Sequence, residues 1–250
     1  MASIFPYWPA APGAVGVLST RRSGGVSVAP YGDVAGAGGL NLGLHVGDEP
    51  DAVYRNRALL KAQLPAEPAW LTQVHGNRVV DAATVLDAPE ADASVTTQPG
   101  VVCAILSADC MPVLLCDSRG QVVGAAHAGW RGLAAGVVEN TVRAMQEAGA
   151  DRLLAWLGPA IGPQQFEVGE DVRAAFAHLG GDAEQAFVAI QGQSGKYWAN
   201  LPQLARLALA RVGVTQVAGG ADCTVSDAQQ FYSFRRDRIT GRMASLIWIR

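Results

Sequence analysis

Apolar residues fall into short unbroken runs in the middle of the chain and into helical spacing on either side. Residues 101–106 (VVCAIL), 112–116 (PVLLC) and 121–126 (QVVGAA) are each of strand length, and the polar turn Asp117-Ser118-Arg119-Gly120 separates the last two. Runs of this kind suit strands buried on both faces. The period then changes. Trp130, Leu133, Val137, Thr141 and Met145 share one face of a helix predicted over 130–148, with Glu139 and Arg143 four apart on another face. Asp51 is the expected cap of a helix over 51–63 that turns Val53, Leu59 and Leu60 inward. Residues 153–157 predict a strand stopped by Gly158-Pro159, 171–179 and 201–212 predict helices, and 244–249 a terminal strand. The Gly-rich stretch 21–43 reads as loops between short strands. Strands and helices intersperse without strict alternation, which predicts an α+β architecture rather than a doubly wound sheet.

With 250 residues, half of them apolar, the chain can bury a substantial core. A net charge of −3 without a basic block argues against nucleic acid as a partner. Residues 1–16 lack a charged segment followed by an apolar run, and no stretch approaches the roughly 18 unbroken apolar residues of a membrane span. A cytoplasmic protein without membrane partners is expected, a monomer or a weak homo-oligomer. Cys103, Cys110, Cys116 and Cys223 are then expected to be thiols.

Three segments place metal-capable side chains at predicted strand ends: TQVHG (72–76), SADCMP (107–112) and AHAGWRG (126–132). Neutral imidazole and thiolate are ligands that zinc favours, and three protein ligands leave a coordination position for water or substrate. His75, Cys110 and His127 are the candidate set. Their spacing contains no CxxC or HxxxH, so packing residues at strand ends remain the alternative.

The strings LTQVHG (71–76), ADCMPVLL (108–115) and AAHAGWRG (125–132) resemble those of the bacterial laccase-domain, or multicopper polyphenol oxidase, family. Its members are also called purine nucleoside phosphorylases and peptidoglycan-editing factors. The likeness extends through RSGGVS (22–27), NLG (41–43), HVGD (45–48), Asn56-Arg57, LGPAIGP (157–163), FEVG (166–169), Cys223-Thr224, FRRD (234–237) and TGRMAS (240–245). It implies one domain over 1–250, a four-layer α/β/β/α sandwich with mixed sheets. It also implies a metal, usually zinc, on His75, Cys110 and His127.

The implied activities are phosphorolysis of adenosine, inosine and methylthioadenosine, and deamination of adenosine; the implied partners are a purine nucleoside and phosphate. Deamination needs a metal-activated water aimed at C6 of the purine and a carboxylate to move the proton. Asp109 is the candidate, with a turn-capping role as its alternative. Phosphorolysis needs a cationic cradle, for which the planar, permanently charged arginine fork is suited. Arg22, Arg131, Arg235 and Arg236 are candidates, each with a surface charge as its alternative. Asn41 and Ser233 could bind ribose or base, and His45 could assist. His178 reads as an ordinary helix residue.

Four histidines cannot furnish a multicopper cluster. A single Cu2+ remains an alternative to Zn2+, since two His, one Cys and the neighbouring Met111 match the ligand inventory of a blue-copper site. A Cys–His hydrolase or deamidase with Cys110 as nucleophile is a further alternative. The editing-factor label implies a link to cell-wall precursors.

Overall fold

The computed structural model describes residues 3–4 and 8–250. Two mixed sheets lie face to face. The first has the order Ser3–Ile4, Val15–Thr20, Met243–Ile249, Val102–Ser107, Pro68–Ala69, antiparallel except for its last pair. The second runs Gln216–Gly219, Leu153–Leu157, Met111–Asp117, Val123–Ala128, Ala93–Thr96, Val79–Asp81, antiparallel inside and parallel at both edges. A small antiparallel sheet of Glu167–Gly169, Lys196–Ala199 and Phe187–Ala189 sends Val168, Phe187 and Ala199 into the core shared by the second sheet and its helices.

The apolar runs do what unbroken hydrophobicity requires, because alternate side chains enter different layers. Cys103 and Ile105 meet Leu114, Cys116, Val123, Ala125 and Ile247 between the sheets. Val102, Ala104 and Leu106 face outward with Leu18, Leu40, Leu246 and Leu60, the last from the helix Pro50–Lys61. Val113, Leu115, Ala126 and Ala128 face the other way, into Leu133, Val137, Val142, Met145, Leu204 and Ala208 of the helices Trp130–Ala134, Val137–Glu147 and Leu201–Arg211. This is the α/β/β/α order of layers. Complete burial of each such Leu, Ile or Val contributes about 1.5–3 kcal/mol.

Several local expectations need correcting. The helix over 130–148 is two helices, broken at Ala135-Gly136, where Gly136 takes φ 85°. Arg143 donates to Asn140 Oδ1 at 3.1 Å instead of pairing with Glu139. The first long helix begins at Pro50 with Glu49 at the cap position and no side-chain cap, so Asp51 lies in its first turn. Its buried residues are Val53, Asn56 and Leu60, while Leu59 is 43% exposed. Spacings of three and four select one face, and Leu59 lies about 100° round from Leu60. The helix over 171–179 becomes an α segment, Glu170–Ala175, and a 3₁₀ turn, Ala177–Leu179. Among the described residues, no helix is long and apolar enough to cross a membrane.

Candidate metal centre

The connection between the sheets builds the site. The chain leaves the first sheet at Ser107 and enters the second at Met111, so 108–110 crosses between them. Met111 pairs with Ala128 and Pro112 with His127, which brings Cys110 and His127 to the same end of the second sheet. On the strand Val123–Ala128, His127 follows Val123 and Ala125 toward the space between sheets. His75 arrives on a loop that Gln73 fastens to the end of the neighbouring strand. Gln73 Nε2 donates to the Leu106 carbonyl and its Oε1 accepts from the Leu106 amide, both at 2.8 Å.

The ligand atoms of His75, Cys110 and His127 all lie within 4.8 Å of one another, and Cys110 Sγ is 3.7 Å from His75 Nε2. Zinc–sulfur and zinc–nitrogen bonds opened to a tetrahedral angle span about 3.5 Å, so the donor set fits one ion. No other group of three or more His, Cys, Asp or Glu side chains converges in this way among the described residues.

A residue that the sequence pattern did not reveal holds this set together. Asp92 is fully buried, and it accepts from the amides of Val74 (3.1 Å), His75 (2.9 Å) and Gly76 (2.7 Å) and from His127 Nδ1 (2.8 Å). The last bond assigns His127 Nδ1 as the protonated nitrogen and leaves Nε2 for a metal. The three amide bonds hold the loop in which His75 takes φ 62°, a left-handed conformation that histidine tolerates better than most residues. The available signal was a carboxylate directly before a short strand, Ala93–Thr96, that is buried throughout.

Glycines make room for the ligands. A Cβ on Gly129 would lie 2.8 Å from Cys110 Sγ and 3.2 Å from His75 Cδ2, and one on Gly132 would lie 2.8 Å from the Gly76 carbonyl. The AHAGWRG segment therefore combines one ligand with two positions at which only glycine fits.

Burial pushes the Cys110 thiol up, but His127 and His75 outweigh it and bring it down to about 6. Burial pushes His127 down, while Cys110 and Asp92 outweigh that and raise it to about 9. Without a cation the pair rests as thiolate and imidazolium near neutral pH. Burial also opposes ionisation of Asp92, yet His127 and the amides of Gly76 and Val74 hold it below the usual carboxylate range. Cys103 and Cys116, deep in the core, are pushed up to about 12 by burial, which separates them chemically from Cys110.

A cavity of about 590 Å³ opens over the centre. His75, Cys110 and His127 line it together with His45, Arg57, Trp70, Ser107, Phe234 and Arg242. Of the other residues expected at the site, only His45 is part of this lining. Asp109, at φ 86°, has one carboxylate oxygen on the Thr224 hydroxyl and the other on the Arg235 amide, both at 2.6 Å. Arg22 is buried and donates to the carbonyls of Ala228 and Gly32. Asn41 is spent on Gly43, Asp48 and the Arg242 amide. Ser233 caps the short helix Phe234–Asp237 through the Arg236 amide. Arg235 bonds the Glu167 carbonyl; Arg236 bonds Asp237 and the carbonyls of Thr224, Val225 and Phe231. Arg131 is exposed and stacks on Trp130. The arginines that reach the cavity are Arg57 and Arg242.

Fold and site define an α+β sandwich protein with a His–Cys–His group able to hold one metal ion at a cavity floor. The chain belongs to the multi-copper polyphenol oxidoreductase laccase family, whose sequence model matches residues 16–250. It is 51% identical to a purine nucleoside phosphorylase of Pseudomonas aeruginosa, over 99% of this chain and 98% of that one. It is 50% identical to the Escherichia coli purine nucleoside phosphorylase YfiH, over 98% of each chain. The crystal structure of Neisseria meningitidis protein NMB0706 matches with a TM-score of 0.90 at 49% identity, covering 99% of this chain and 98% of that one. YlmD from Geobacillus stearothermophilus matches at 0.82 and 31%, covering 95% and 93%.

Proposed function

We propose that the chain is a metal-dependent purine nucleoside phosphorylase, with zinc on His75, Cys110 and His127. It would convert adenosine, inosine or methylthioadenosine and phosphate to the free base and ribose 1-phosphate. The observation that carries this reading is a three-ligand group on the floor of a cavity whose permanent charges are two arginines, Arg57 and Arg242. The names of the relatives support it. The cavity volume lies in the usual range for small-molecule sites.

Zinc held by His75, Cys110 and His127 would supply a Lewis acid at the cavity floor. Asp92 orients His127 and fixes the His75 loop, so the donors are in place before the ion arrives. Phe234, which is exposed, offers an aromatic face to a purine ring. Burial first, then Arg242 and Arg57, push His45 below the ordinary imidazole range. Neutral at pH 7, it can donate one hydrogen bond and accept another.

Adenosine deamination is the finer part of the reading. Among the described residues the cavity lining contains no carboxylate, and both oxygens of Asp109 are engaged, so His45 is the proton carrier within reach. The thiolate–imidazolium pair also favours a competing reading, a cysteine hydrolase with Cys110 as nucleophile.

One experiment separates these readings: adenosine turnover with and without phosphate, before and after chelation. Ribose 1-phosphate that requires phosphate, disappears on chelation and returns with zinc supports the phosphorylase. Inosine formed without phosphate marks deamination. Turnover that survives chelation but not alkylation of Cys110 replaces the metal reading with the nucleophile.

A further inference from the structure

Arg57 and Arg242 reach the cavity with no carboxylate in salt-bridge contact; Glu67 and Asp109 act on them only from further off. Arg57, on the helix Pro50–Lys61, donates through Nε to the Leu42 carbonyl at 3.0 Å, and its guanidinium lies 4.2 Å from the centre of the Trp70 ring. Arg242 donates through Nη1 to the carbonyls of Thr240 and Gly241, both at 3.1 Å. It packs over Gly43, where a Cβ would fall 2.9 Å from its Cγ. Among the described residues, neither arginine has a salt bridge, and both Nη atoms of Arg57 and Nη2 of Arg242 lack a hydrogen-bond partner.

Both side chains are thus fixed by carbonyls and a close-packed wall, while donors remain free toward the cavity. Burial lowers the proton affinity of each guanidinium, and His45 is depressed in turn by both. Partly desolvated cations lining one cavity are costly unless an anion joins them. Arginine forks match a tetrahedral oxyanion through paired N–H donors.

We propose that Arg57, Arg242 and His45 form a subsite for inorganic phosphate beside the metal centre. The use of that anion as a reactant rests on the phosphorylase reading; its binding does not. The arginines first expected in this role, Arg22, Arg131, Arg235 and Arg236, do not line the cavity, and Arg22, Arg235 and Arg236 donate to carbonyls of the fold instead.

The test is calorimetric titration of the zinc-loaded full chain with inorganic phosphate, with adenosine 5′-monophosphate in a parallel arm. Arg57→Gln and Arg242→Gln should each weaken phosphate binding by about 10- to 100-fold, the loss expected for a charge-assisted hydrogen bond. The Lys variants should retain part of the affinity, and Arg131→Gln should retain all of it. Circular dichroism identifies any variant that fails to fold, and the Lys pair then decides. Phosphate binding unchanged in both Gln variants, or lost in Arg131→Gln, would overturn the assignment. So would binding of the monophosphate ester without binding of free phosphate. Arginine-dependent phosphate binding without formation of ribose 1-phosphate would uphold the subsite and remove the phosphorylase reading.

Discussion

Replacement of Asp92 by Asn tests whether one carboxylate assembles the site. Oδ1 accepts from the His75 amide and from His127 Nδ1; Oδ2 accepts from the amides of Val74 and Gly76. An amide supplies only one acceptor oxygen. Whichever way it sits, two of the four donors face an NH₂ group. An unsatisfied buried donor costs about 1–3 kcal/mol, so the variant should lose about 2–6 kcal/mol of stability. Loss of the partner behind a ligating histidine lowers metal affinity by about 10- to 100-fold, or about 1.4–2.7 kcal/mol. Denaturant unfolding reads the first quantity, and competition with a chromogenic chelator reads the second. The sign with pH follows from the folded state. Asp92 is held below its ordinary value of 3.8, so its stabilisation is complete above that value and is lost as pH falls through the lower folded value. The Asp92 contribution should therefore persist in mild acid in the wild type. If Asp92→Asn bound zinc within twofold of wild type and unfolded at the same denaturant concentration, the carboxylate would not be the organiser.

Metal-free protein should be alkylated at Cys110 with a rate that rises through pH about 6, and zinc should block the reaction; a midpoint near the ordinary thiol value of 9, followed by peptide mass mapping, would contradict the ion pair. The thiolate–imidazolium pair should support the metal-free fold between these limits: it is lost as pH falls through about 6, where the thiol takes a proton, and as pH rises through about 9, where His127 gives one up. Gly129→Ala should leave secondary structure intact, because φ −62° suits alanine, but should weaken zinc binding at least about tenfold. Unaltered zinc affinity in that variant would show that the ligands do not need the space.

The sequence pattern carried the layers and the ligands but not the joints. Unbroken runs such as Val102–Ser107 and Met111–Asp117 announce strands covered on both sides, and the structure covers them with a second sheet on one side and helices or loops on the other. Periodicity could not reveal the break at Gly136, because Leu133 and Val137, four apart on either side of it, both turn into the same core. His75, Cys110 and His127 were legible through their motifs. Asp92 was not, since a carboxylate at a strand start is ordinary until its four donors converge on it. Arg22, Asn41, Ser233 and Arg236 have the chemistry of binding residues, but they are turned to carbonyls, amides and the carboxylates of Asp48 and Asp237 within the fold. Arg57 and Arg242 reach the cavity from a helix and a loop 185 residues apart, a convergence that only the tertiary structure supplies.

The central claim is that two imidazoles and one thiolate from three separate segments share a single ion. Elemental analysis of the chain purified without added metal tests it most directly, alongside His75→Ala, Cys110→Ala and His127→Ala. The account predicts one zinc per wild-type chain and its loss in each variant, with His178→Ala unaffected. Metal retained in full by all three variants, or phosphate-dependent adenosine turnover by a chain stripped of metal, would contradict it.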